Sequence, residues 1–241
     1  MSLKWSLEAG YSSRIRATTC GTPRRSEPVI GSVADLATEE RRSLLELVEG
    51  FTEEQWRAPT LCAGWSVRDV VLHHIGYDLL TGRELVQRMA TGRANPGGAA
   101  NAARLEELSD LSTDAIVDAL RAHLRPTGLT SGFGCRISLL DGMIHQQDIR
   151  RPLSLPRAIP ADRLRPALNF AVWAPPVRGA VRGRGVRLVA DDLDWSFGRG
   201  PDVHGTAEAL LLAMGGRTVV LDELTGPGRD RLARNLGALI R

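Results

Sequence analysis

Asp141 and His145 stand four residues apart in the stretch that runs from Asp141 to Arg151. On a helix this spacing places a carboxylate and an imidazole one turn apart on one face, where together they can hold a divalent cation. Ile137, Leu140, Ile144 and Ile149 flank the pair, so the helix is expected to bury one side. Polar ligands against an apolar wall are what a metal site in a helix bundle requires. The same spacing also suits an ordinary helical hydrogen bond, and a third ligand from a distant part of the chain has to decide between the two. His73 and His74 read, by themselves, as ordinary half-buried histidines. They point about 100° apart on a helix, so only one can face a shared cation. Val67, Val70, Val71 and His74 share one arc, which by the helical wheel alone favours His74.

The elements that must position these residues follow from periodicity and caps. Leu36, Leu44, Leu45, Leu47 and Val48 recur at helical spacing up to Gly50. Thr52-x-x-Gln55 has the form of a capping box before a short turn that carries Trp56, and Ser66-x-x-Asp69 starts a second helix predicted to reach about Met89. Ala90 to Ala103 reads as a loop. Ser112 caps a third helix through His123, and a fourth begins near Cys135. Pro152, Pro156 and Pro160 mark the end of the first domain. Beyond them, helices are expected over Asp162–Trp173, Thr206–Met214 and Arg229–Ile240, with strands over Val186–Ala190, Asp194–Phe197 and Thr218–Leu221.

Composition sets the class. The 241 residues, 43% hydrophobic and 24% charged, suit a soluble globular protein. No apolar run approaches the roughly 20 residues needed to span a bilayer, and the first thirty residues lack the apolar core of a signal peptide. A cytoplasmic protein without a membrane partner is expected. Cys20, Cys62 and Cys135 are too scattered for a disulfide framework. The net charge of +3 resides in residues 1–31, which read as a poorly ordered extension, while the rest of the chain is balanced. A nucleic-acid binder carries its positive charge on a folded face, so no nucleic-acid partner is expected.

The segment Trp56-x-x-Pro59-x-x-Cys62-x-Gly64-Trp65-Ser66-Val67-x-Asp69-Val70-Val71-x-His73 resembles the actinobacterial mycothiol-dependent maleylpyruvate isomerase family, within the wider DinB-like metal-binding four-helix bundles. Asp141-x-x-x-His145-x-x-Asp148-Ile149-Arg150-Arg151 is similar to that family's last bundle helix. Asp192-x-Asp194-Trp195-Ser196-Phe197-Gly198-x-Gly200, Gly205-Thr206-Ala207-Glu208 and Gly216-Arg217 resemble its C-terminal domain. The resemblance covers residues 31–241. It implies an α+β protein, with an up-down DinB-like bundle over residues 32–155 and a small α+β domain over 156–241. It further implies a zinc or other divalent ion held by His73, Asp141 and His145, with Asp141 standing where the isomerase has Glu. The thiol cofactor mycothiol would complete the metal shell, and Arg217 would act on the substrate anion.

Two imidazoles and one carboxylate with an open position suit catalytic zinc; magnesium or calcium would want more carboxylates. A thiol held there ionises at neutral pH. No cysteine of the chain is placed to be that thiol, and Cys62 reads as small apolar packing. Asp148 is expected to bond the loop or Arg150, while His123 and His204 read as surface or structural. Arg178, Arg182, Arg184 and Arg187 read as a solvated loop or as anion ligands at a domain cleft, and Trp195 as core. The expected function is a metal-dependent, mycothiol-linked S-transfer or isomerisation of a small organic acid or electrophile. The alternative is a non-enzymatic metal-binding or ligand-sensing protein, and either a monomer or a homodimer fits the sequence.

Overall fold

The first helix, α1 (Val33–Val48), starts where Ser32 accepts a hydrogen bond from the Asp35 amide and the Asp35 carboxylate accepts one from the Ser32 amide. Two of the amides that a helix start leaves open are satisfied in this way. Leu36, Ala37, Glu40, Arg41, Leu44, Leu45 and Val48 then form one buried stripe. The computed structural model of the chain describes residues 31–91 and 98–239, so the expected N-terminal extension lies outside the described residues. Reciprocal caps also open α2 (Glu53–Arg57) at Thr52 and Gln55, and α3 (Val67–Gly76) at Ser66 and Asp69, as their spacing predicts.

The helix expected to continue to Met89 ends at Gly76, and a separate α4 (Gly82–Ala90) follows. Two local causes are visible. Asp78 turns inward to a buried pair with Arg41, and Thr81 with Glu84 forms a new reciprocal cap. The expected loop is also corrected, because α5 (Gly98–Glu107) covers its last part. This Ala-rich segment has high helix propensity, and Arg104 anchors it by donating to the Gly76 carbonyl at 2.9 Å. Ser112 caps α6 (Thr113–Ala122) as expected, and a single 3₁₀ turn (Gly128–Ser131) leads into α7 (Gly132–Arg150). Phe133, Gly134 and Cys135 have left-handed backbone angles, so regular helix begins after Cys135.

Helices α1, α3, α6 and α7 make the bundle, and α7 is its spine. Gly142 lets the helices close: a Cβ there would lie 3.0 Å from His74 Cε1 and 3.3 Å from Glu40 Cγ. The second half contains α8 (Ala161–Trp173), the short α9 (Gly179–Arg182), β1 (Arg187–Ala190), β2 (Ser196–Gly198), β3 (Asp202–Gly205), α10 (Ala207–Met214), a 3₁₀ segment (Thr218–Glu223) and α11 (Arg229–Leu239). The sheet order is β2-β1-β3, with β1 antiparallel to β2 and parallel to β3. Asp202–Gly205 is a strand that the turn residues Gly200 and Pro201 hid from the sequence reading. Thr218–Leu221, expected to be a strand, lies in the 3₁₀ segment; Thr225 rather than this segment meets β3, at His204.

Two apolar clusters hold the fold. Leu139 and Met143 of α7, Leu168 of α8, Leu188 and Val203 of the sheet and Leu211 of α10 belong to one. Leu44, Val48, Val71, Ile75, Ile116 and Leu120 belong to the other. Trp195 is buried, and its indole donates to Asn169 Oδ1 at 2.9 Å. The α+β class expected from the sequence is therefore found. Among the described residues, no helix is long and apolar enough to cross a membrane.

Buried charge adds a further constraint. Arg41 donates to both oxygens of Asp78, at 3.2 and 2.8 Å, and to the His123 carbonyl at 2.6 Å. Asp78 also accepts from the Thr127 amide at 2.7 Å and from Thr130 Oγ1 at 2.8 Å. Removing one partner strands the other charge in the core, so Asp78→Ala is expected to destabilise the protein by about 3–5 kcal/mol in equilibrium urea unfolding. A loss below about 1 kcal/mol, the scale of an exposed pair, would show that this pair does not clasp the bundle.

Candidate metal centre

The capped start of α3 fixes the rotation of that helix, and with it the divergence of two adjacent histidines. His74 turns into the core, while His73 faces the cleft beside Trp65, ring to ring at 5.1 Å. Helix α7 brings Asp141 and His145 to the same place. His73 Nε2 lies 3.5 Å and His145 Nε2 3.4 Å from Asp141 Oδ1. The two imidazoles meet edge to face, with centroids 5.0 Å apart. His73, Asp141 and His145 each offer a ligand atom, all within 4.8 Å of one another.

His74 approaches the same carboxylate from behind. Its Nδ1 lies 2.7 Å from Asp141 Oδ2, and its Nε2 is buried without a partner. Both adjacent histidines thus meet Asp141, one at each oxygen. Burial lowers the pKa of His74 despite the opposing hydrogen bond to Asp141, so the ring is neutral and donates from Nδ1.

A second carboxylate orders His145. His145 Nδ1 lies 2.8 Å from Asp148 Oδ2, which holds a proton on Nδ1 and aims Nε2 at the cluster. Asp148 is fully buried and forms a fork with Arg217, whose Nε donates to Oδ1 at 2.9 Å and whose Nη2 donates to Oδ2. Burial would raise the Asp148 pKa, but hydrogen bonds from His145 and Arg217 hold it well below the usual carboxylate range. Asp141 is likewise held well down: burial opposes ionisation, and the charge and hydrogen bond of His145, with the hydrogen bonds of His73 and His74, overcome it. For His145 the balance runs the other way. Burial lowers its pKa, but the nearby Asp141 charge and the bonds to Asp141 and Asp148 carry it well above the ordinary histidine value. The cluster attracts positive charge.

Cys62 closes the back of this network. Its Sγ lies 3.1 Å from Asp148 Oδ2, 3.6 Å from His145 Nδ1 and 3.5 Å from Arg217 Nη2. Cys62 packs against the second apolar cluster as expected, and its thiol adds polar contacts that the expectation did not include. Cys62, His145 and Asp148 also converge within ligand distance, but Asp148 is committed to Arg217 and His145 reaches this group only through its second nitrogen. Of the two partners expected for Asp148, the loop is found, through Cys62, and Arg150 is not; its side chain also bonds His145 and Arg217. The i,i+3 spacing from His145 to Asp148 was the signal that could have revealed this bond. His123 and His204 bond the Ala119 carbonyl and Asp191, outside the cluster.

The cluster opens on a cavity of about 700 Å³ whose lining includes Trp65, His73, Tyr77, Phe133, Asp141, His145, Phe170 and Arg217. Arg178, Arg182, Arg184 and Arg187 do not line it; Arg182 donates instead to the Met214 carbonyl at 2.9 Å.

Two solved structures, the mycothiol-dependent maleylpyruvate isomerase and a histidine-to-alanine mutant of it, are each 17% identical to this chain. Each alignment covers 81% of this chain and 90% of the other, with TM-scores of 0.46 and 0.49 respectively. No curated protein matches. Residues 37–150, which carry His73, Asp141 and His145, match the model of the mycothiol maleylpyruvate isomerase N-terminal domain.

Proposed function

We propose that this protein is a zinc-dependent enzyme that uses mycothiol for an S-transfer or isomerisation on a small organic acid or electrophile. One observation supports this above all. Two imidazole nitrogens and one carboxylate oxygen converge at the wall of a cavity, and no fourth metal-binding side chain joins that group among the described residues. A closed four-ligand set would suit a structural ion, whereas a three-ligand set facing a cleft suits catalysis. The donors fit zinc in type, and each is ordered from behind. His74 holds Asp141, and Asp148 holds His145, as the outer partners of metal ligands commonly do.

When bound, zinc supplies a Lewis acid that lowers the pKa of a coordinated thiol. The chain's own residues do the rest. His73, Asp141 and His145 fix the position of the ion. Trp65 and the apolar lining exclude water, which strengthens the electrostatics of the site. Arg217, anchored on Asp148, presents its remaining donor capacity at the cavity wall towards the substrate. In a transfer, the thiol sulfur bonds to the electrophilic carbon of the acceptor, the displaced group leaves with its electron pair, and the thiol proton passes to solvent.

Metal analysis of purified protein is expected to find close to one zinc per chain. His145→Ala should remove it and His123→Ala should not; equal retention by both variants would exclude this site. Asp148→Asn, which keeps the shape but removes the charge behind His145, is expected to weaken zinc by about 10–100-fold in a chelator competition.

Mycothiol is expected to bind the zinc form with release of a proton, counted by calorimetry in two buffers of different ionisation enthalpy. Its affinity should rise with pH until the free thiol ionises, near pH 8.5 for an ordinary cysteine-like group. His73→Ala should abolish this binding, whereas Arg217→Ala, which keeps the three candidate ligands but removes the counter-charge of Asp148, should weaken it less and lower turnover. Absence of zinc-dependent mycothiol binding would overturn the thiol-transfer reading.

A further inference from the structure

The cavity beside the cluster has a chemical character of its own. Away from the candidate ligands its lining includes Phe133, Ile137, Ile144, Phe170, Pro176 and Val177. Arg217 is the one arginine or lysine among the described residues that line it, and Asp148 already matches its charge. A dicarboxylate placed here would lose its water without gaining an uncommitted cationic side chain from those residues, an unfavourable exchange.

Phe133 points independently to an apolar guest. Its side chain is 67% exposed, although it rests against Phe170 with ring centroids 5.5 Å apart. Its φ is 54°, a left-handed angle that a bulky residue rarely adopts. The backbone thus departs from helix where it offers an aromatic face to the cavity. In the same lining, Ser138 Oγ is buried and has no hydrogen-bond partner, so it can donate to one polar group of a bound molecule.

We propose that the acceptor substrate is a neutral, largely apolar electrophile, aromatic or long-chain, with one polar activating group, rather than a small dicarboxylate. This assignment rests on the thiol-transfer reading for its chemistry, but its binding step needs no thiol. With an aryl halide as acceptor, the sulfur forms a carbon–sulfur bond, halide leaves with the electron pair of the broken carbon–halogen bond, and the thiol proton passes to solvent.

The test uses zinc-loaded protein without thiol and N-phenylnaphthylamine, a neutral probe that fluoresces in apolar sites. Chlorobenzene is expected to displace the probe, whereas maleate at the same concentration leaves it bound. Phe133→Ala should weaken the probe by roughly tenfold, as expected for losing the burial of one aromatic ring, with little change in melting temperature because that ring is exposed in the free protein. Competition by maleate as strong as that by chlorobenzene, unchanged probe affinity in Phe133→Ala, or no binding of the probe would each overturn the proposal. Because mycothiol binding is measured separately, its failure would strike the thiol-transfer reading alone, and failure here would strike only the acceptor class.

Discussion

The Asp141 carboxylate is the group on which the site depends. One of its oxygens faces His73 and His145, and the other accepts from His74. A half-buried carboxylate is stabilised by partners at both oxygens, and here they come from two helices that meet only in the folded bundle. The pair of adjacent histidines does two different jobs. His73 offers a nitrogen to the cleft, while His74 fixes the plane of the carboxylate from inside the core. The His74 bond, at 2.7 Å, leaves the carboxylate little freedom to rotate.

Asp148 repeats the arrangement two turns further along α7 and extends it into the second half of the chain. It accepts from His145, from Arg217 and from the thiol of Cys62. The orientation of a candidate ligand on the bundle therefore depends on an arginine about seventy residues later and on a loop about eighty residues earlier. This coupling gives the segment beyond α8 a physical part in the site, because it supplies the counter-charge that makes a buried carboxylate tolerable.

The same economy appears in the rest of α7. Glu40, fully buried, accepts from Gln146 at 2.8 Å and is paired with Arg157 and Arg163. Arg41, its neighbour on α1, is paired with Asp78. Gly142, with no side chain, lets the helices approach closely enough for these contacts to form. Polar pairs in the core thus fix the mutual rotation of α1, α3 and α7, whereas apolar packing alone would tolerate sliding.

The sequence by itself determined what is local. The reciprocal caps at Thr52 and Ser66, the buried stripe of α1 and the spacing of Asp141 and His145 were all legible, because each depends on a helical period or on three neighbouring residues. Even some failures left local traces, such as the cap at Thr81 and Glu84 and the Ala-rich run that became α5. Other features had no local signal. The division of labour between His73 and His74 follows from how far α3 is rotated against α7. The bonds of Asp148 to Arg217 and Cys62, and the left-handed turn that exposes Phe133, exist only once α7 is packed. A buried charge selects its partner by distance in space, and the chain records only distance along itself; the tertiary structure was needed to convert one into the other.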